Sequence, residues 1–152
     1  MLKGTLIHPQ ILEALGRAGH SSQVLVADGN YPYATRLGPK ATLVNLNLSP
    51  GIVTCVQVLQ ALVTAIPIES ACVMQYPTEG PSALRAEPPV WVEFRQILAK
   101  AGAAVELLPV ERFAFYEAAG NPNVVLTIAT GEQATFANLL LTIGVIRKAV
   151  QP

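Results

Sequence analysis

Few side chains in this sequence can do chemistry, and they are scattered. His20 is one of two histidines, Asp28 begins the run Asp28-Gly29-Asn30-Tyr31-Pro32, Arg112 follows Glu111, Thr130-Gly131-Glu132 stands as a short polar unit, and Asn138 ends Phe136-Ala137-Asn138. An imidazole exchanges protons near neutral pH, so His20 is the natural acid–base group among them. Asp28, Arg112 and Asn138 are hydrogen-bonding groups suited to a polar, uncharged ligand, and Phe136 or Tyr31 offers a flat apolar face. Taken singly, each has an ordinary structural reading. A histidine just past a helix end satisfies terminal carbonyls, an Asp before Gly makes an Asx turn, an Arg in a first helical turn is a surface charge, and an Asn at a strand edge bonds its own backbone.

What distinguishes the set is where the elements place it. Pro9 and Gly19 bracket an opening helix with Ile11, Leu12 and Leu15 on its apolar face, and His20 follows its end. Gln23–Ala27 is a short buried strand that stops at Asp28. Ser49-Pro50 reads as a cap opening an apolar helix from about Ile52 to Ile66, followed by a strand from Ser70 to Tyr76. A Pro- and Gly-rich loop, 77–89, leads into a helix with Trp91, Phe94, Ile97 and Leu98 on one face and Gly102 at its end. Ala104–Leu108 is a strand, Glu111–Ala119 a helix, Val124–Ile128 a strand, Thr130-Gly131-Glu132 a turn, and Asn138–Ile143 a last strand. The pattern predicts one three-layer α/β/α domain over residues 1–152 with a largely parallel central sheet. Asp28, Arg112 and Thr130-Gly131-Glu132 then all lie just beyond C-terminal ends of strands, where open α/β sheets place ligands.

Composition removes several function classes. Net charge is zero, with ten basic residues forming no stripe, so nucleic acid is not an expected partner. The most apolar stretch, Ile52–Ile66, carries Thr54, Gln57, Gln60 and Thr64 and falls short of the roughly 20 residues that span a bilayer, so no membrane span is expected. Nothing at the N-terminus reads as a signal peptide, and Cys55 and Cys72 fit buried reduced thiols, which together point to the cytoplasm. There is no GxGxxG, P-loop, HExxH, Cys/His ligand cluster or GxSxG, hence no expected cofactor and no expected metal. Charged residues are 13% of the chain against 51% hydrophobic, a balance that leaves too much apolar surface for a lone monomer and implies extensive self-association.

Met1-Leu2-Lys3-Gly4, Ala18-Gly19-His20, Ala27-Asp28-Gly29-Asn30-Tyr31-Pro32, Glu111-Arg112-Phe113-Ala114-Phe115-Tyr116-Glu117, Thr130-Gly131-Glu132 and Phe136-Ala137-Asn138, with Gly144-Val145 behind them, occur in the order seen in the ribose pyranase and fucose mutarotase family, which the chain resembles over nearly its whole length. The resemblance implies a cofactor-free sugar isomerase, built as a ring-shaped, decameric homo-oligomer with sites near subunit boundaries. It implies His20 as the acid–base group and Asp28, Arg112, Phe136 and Asn138 as substrate-binding residues. The Arg112 stretch is closer to the fucose branch, so the expected partner is free L-fucose or a related monosaccharide. Two positions depart from the family pattern: Phe136 stands where Tyr is usual, and Asn30 where His is common. Those departures keep a second possibility open, a non-catalytic monosaccharide-binding protein of the same fold. A Rossmann-like domain holding a phosphorylated ligand at Arg112 is a third.

Overall fold

The computed structural model describes residues 1–146. Its elements are α1 (Pro9–Arg17), β1 (Gln23–Ala27), β2 (Thr42–Asn45), α2 (Cys55–Leu62), β3 (Ile68–Met74), α3 (Pro89–Lys100), β4 (Leu107–Val110), α4 (Arg112–Ala119), β5 (Val124–Ala129) and β6 (Leu139–Ile143). The six strands form one sheet in the order β2-β5-β1-β6-β3-β4. The β1–β5, β2–β5 and β3–β4 pairs are parallel, whereas β6 runs antiparallel to both of its neighbours, β1 and β3.

Central strands bury both faces, which is why β1 reads as a continuous apolar run, Val24-Leu25-Val26-Ala27. One face packs Val24, Val26, Ile128 and Leu141 against Ile11 of α1, Leu59 and Leu62 of α2, and Trp91, Phe94 and Leu98 of α3. The other packs Leu25, Ala27 and Leu140 against Phe115 and Ala119 of α4. Three layers result, and each face is kept dry by aliphatic and aromatic side chains, the main source of stability in a domain of this size.

Three elements, α2, β4 and β2, differ most from the sequence expectation. The apolar helix opens at Cys55, not near Ile52. Thr54 caps it through a reciprocal capping box with Gln57, and Ser49-Pro50-Gly51-Ile52 instead closes a tight turn, Ile52 N–H donating to the Ser49 carbonyl at 2.9 Å. Strand β4 starts later, at Leu107, and runs through Pro109, which an edge strand tolerates because its outer side has no partner to donate to. Strand β2 was not expected at all, being four residues long, at the opposite edge, with only Val44 buried. The remaining helices and strands lie where periodicity places them, β3 two residues earlier at each end.

The connection from β5 to β6 shapes the site. Residues 130–138 leave β5, cross over the C-terminal end of β1, and drop into β6 on its other side. Thr130 fastens the crossing by donating from both its N–H (3.0 Å) and its Oγ1 (2.8 Å) to the Ala27 carbonyl. Gly29 N–H donates to the Glu132 carbonyl at 2.9 Å, a second stitch.

Candidate functional site

The crossing puts Asn138 directly against Asp28. Asn138 Oδ1 accepts from the Asp28 N–H and Asn138 Nδ2 donates to Asp28 Oδ2, both at 2.9 Å, while Asp28 Oδ1 accepts from the Asn30 N–H at 3.0 Å. Asp28 is thus held by backbone and side chain together, and it is almost wholly buried, with 2% of its surface exposed. Burial pushes its carboxyl up to about 6, with the Glu132 carboxylate adding in the same direction; hydrogen bonds from the Asn30 and Ala137 backbone and from Asn138 limit the rise. A carboxyl in that range exchanges protons near neutral pH.

These groups line a cleft of about 860 Å³ at the C-terminal ends of β1, β3 and β4. Of the residues expected at the site, the structure brings Asp28, Arg112, Phe136 and Asn138 into this one cleft, with Asn30 and Tyr31 beside them. Arg112 opens α4, where Glu111 caps the helix by accepting from the Phe113 and Ala114 N–H groups. Its guanidinium lies 5.8 Å from the centroid of Tyr116, and Arg36 approaches the same ring at 5.3 Å. Phe136 has a left-handed backbone, φ 60°, with its carbonyl accepting from Trp91 Nε1 at 2.8 Å. The neighbouring phenols are held as neutral donors: burial lifts both Tyr31 and Tyr33 to about 12, Tyr31 donating to the Arg36 carbonyl and Tyr33 to the Asp28 carbonyl.

Glu132 is structural. Its carboxylate turns away from the cleft and accepts from the Cys55 N–H (3.2 Å) and the Ala134 N–H (2.9 Å), anchoring the crossing to the N-terminus of α2. Cys55 is buried and Cys72 half-buried, both free thiols, and burial raises the pKa of each.

His20 lies elsewhere. It precedes β1, whereas Asp28 follows it, and five strand residues at ~3.3 Å each separate the two ends by roughly 15 Å. Far from capping α1, the exposed imidazole pairs through Nε2 with Glu69 Oε2 of β3 at 2.7 Å. Glu69 holds the ring through Nε2. Glu69 was missed because the strand was expected to begin at Ser70; the available signal was a charged residue interrupting the apolar run Ile66-Pro67-Ile68. Tyr116 and Tyr76, both in the cleft wall, were also missed, since an aromatic in a helix or at a strand end reads as core. No helix among the described residues is long and apolar enough to cross a membrane.

A profile of the RbsD / FucU transport protein family matches residues 1–146. The fucose mutarotase of Homo sapiens is 35% identical over 149 residues, covering 95% of this chain and 94% of that protein. The crystal structure of FucU from Bifidobacterium longum superposes with a TM-score of 0.75 at 30% identity, over 93% of this chain and 96% of the other. The fucose mutarotase of Streptococcus pneumoniae, solved in complex with L-fucose, shares the fold with a TM-score of 0.75 at 24% identity, over 93% and 95% of the two chains. With the family profile matching residues 1–146 and a relative 35% identical over 95% of the chain, the chain belongs to the RbsD / FucU family.

Proposed function

We propose that this protein is a sugar isomerase that interconverts the anomers of a free monosaccharide, L-fucose or a close relative, by acid–base opening of the ring. The observation that carries the reading is Asp28: a clamped, buried carboxyl with its pKa raised to about 6, inside a cleft that also offers an aromatic face and an arginine. Ring opening removes a proton from the anomeric hydroxyl, breaks the bond between the anomeric carbon and the ring oxygen, and returns a proton to that oxygen. Closure on the other face of the aldehyde reverses these transfers, with no net change in protons or electrons. The reaction needs one group to take a proton while another gives one.

In this reading Asp28 is the first proton-transfer group and, with Arg112 and Asn138, orients the sugar hydroxyls, while the Phe136 ring covers an apolar face of the sugar. His20 is the second proton-transfer group, supplied by a neighbouring copy of the chain. The roughly 15 Å between the ends of β1 argues for that arrangement, because an imidazole exposed at one end of a protomer cannot reach a cleft at the other end of the same protomer. Leu48, Ile52 and Phe113 expose 82%, 50% and 67% of their surfaces, apolar area suited to burial between subunits of a closed ring, decameric as in the family pattern. Two free cysteines in a chain without disulfides fit residence in the cytoplasm.

Saturation-transfer NMR on L-fucose and D-ribose is the direct test. Enzyme at micromolar concentration should accelerate exchange between α and β forms well above the spontaneous rate. Binding without acceleration, for every sugar tried, would hand the case to a sugar-binding protein.

A further inference from the structure

Three aromatic side chains pack together at one wall of the cleft, which Tyr76 and Phe136 line and Trp91 backs from the core. Tyr76, just after β3, lies tilted against Trp91 with ring centroids 5.4 Å apart, and meets Phe136 edge-on at 6.5 Å. Trp91 is buried in the core and its Nε1–H is taken by the Phe136 carbonyl, so it fixes the other two without reaching the ligand. Phe136 brings a ring and no polar atom. Tyr76 brings a ring and a hydroxyl. Tyr31 and Tyr33 donate to backbone carbonyls, whereas among the described residues the hydroxyls of Tyr76 and Tyr116 have no partner; of these two only Tyr76 packs its ring against Phe136, the Tyr116 ring lying instead against Tyr31 and beside Arg36 and Arg112. Tyr76 is half-buried, its ring held by Trp91 and Phe136 and its residue lining the cleft.

A half-buried phenol beside a ligand cleft either bonds water or bonds what enters. We infer that Tyr76 is a specificity-determining residue: its hydroxyl makes, from the neighbouring position, the sugar-hydroxyl contact that the Phe136 ring lacks, an inference that presupposes the free-sugar reading above. A site that bonds a substrate hydroxyl discriminates against analogues without it far better than an apolar pocket discriminates by shape. The Tyr76–Phe136 contact pair therefore carries one hydroxyl, and moving it across the contact should move the specificity with it.

The test is a cycle of Tyr76→Phe, Phe136→Tyr and the double variant, read by L-fucose affinity, by anomer exchange and by thermal midpoint. Tyr76→Phe removes one oxygen and keeps the ring, so the midpoint should hold while L-fucose affinity falls about 5- to 10-fold, the worth of one neutral hydrogen bond. Phe136→Tyr in the Tyr76→Phe background should recover most of that loss, whereas Phe136→Tyr alone should gain much less. Tyr76→Phe with wild-type affinity would overturn the inference. So would a loss that tracks a fallen midpoint and is not recovered in the double variant, since that pattern marks a structural role. Failure of the wild type to bind any sugar is a separate result and overturns the underlying reading as well.

Discussion

Asp28 and Asn138, 110 residues apart in sequence, close a two-bond clamp in which the Asn138 amide accepts from the Asp28 backbone and donates to its side chain, each at 2.9 Å. The clamp ties the last turn of the central strand to the first residue before an antiparallel strand. Both the position of the carboxyl and its orientation therefore depend on how the 130–138 crossing is seated. The site is an outcome of topology, since β6 could not deliver Asn138 to this end of the sheet if it ran parallel to β1.

Removing the amide tests the clamp. Asn138→Ala leaves the Asp28 N–H and one carboxylate oxygen without their protein partner in a buried setting, which costs about 1–3 kcal/mol. Urea denaturation should show that loss, and sugar affinity should fall with it because the carboxyl is no longer aimed. Unchanged stability would mean that water replaces the amide at no cost.

Asp28 should also leave a signature in the pH dependence of stability. Its folded-state pKa, about 6, lies above the model-peptide value of 3.8, so between these values the native state holds a proton that the unfolded chain has released. Stability attributable to Asp28 is therefore highest below pH 4, falls as pH rises through the window, and stays low above 6. At 1.36 kcal/mol per pKa unit the change approaches about 3 kcal/mol. Denaturation of wild type and Asp28→Asn across pH 4–8 should give a difference that moves against the wild type through this window and then levels. A flat difference would show that the carboxyl titrates normally.

Much of this was legible in the sequence because the central strands are bounded by strong punctuation. Pro9 and Gly19 frame α1, Asp28-Gly29 ends β1, and Gly102 ends α3 with the left-handed backbone, φ 74°, that glycine adopts without strain. The edge strands were harder, since four residues with one buried side chain carry little periodicity: the start of β4 was placed three residues early and β2 was not seen. The start of α2 was misplaced because Ser49-Pro50 is as good a helix opening as Thr54-Cys55, and only the tertiary contact with Gly131 decides between them: Gly51 N–H donates to the Gly131 carbonyl at 2.6 Å. Asp28, Arg112, Phe136 and Asn138 could be grouped from their strand-end positions. The His20–Glu69 pair could not, because it joins a loop to a strand 49 residues away.

Gly131 should be the least replaceable glycine near the site. A Cβ there would run into the Ser49 and Ile52 carbonyl oxygens and come within 2.8 Å of the Ile52 carbonyl carbon, all backbone atoms that cannot swing aside. Gly131→Ala is expected to destabilise by about 3 kcal/mol. Gly16, inside α1 with nothing within 4 Å of its added Cβ, is the contrast, and Gly16→Ala should stabilise by about 0.5–1 kcal/mol. Matched urea melts would decide, and equal effects of the two would contradict the packing described for the crossing.

The last expectation concerns His20, whose distance from Asp28 within one protomer makes a prediction that a self-contained site does not. His20→Asn keeps polarity and approximate size but removes the exchangeable proton, so anomer exchange should drop by about 10²–10⁴-fold while sugar binding largely survives. Glu69→Gln keeps a hydrogen-bond acceptor opposite Nε2 but replaces the carboxylate that pairs with the ring, and should fall between the wild type and His20→Asn. The decisive measurement mixes subunits. If the two groups meet across a boundary, Asp28→Asn and His20→Asn chains, each nearly inactive alone, should regain part of the wild-type rate when refolded together, since some boundaries then pair an intact Asp28 with an intact His20. No recovery from subunits shown to co-assemble would place both groups' contributions within one chain, and with roughly 15 Å between the ends of β1 that outcome would remove His20 from the reaction.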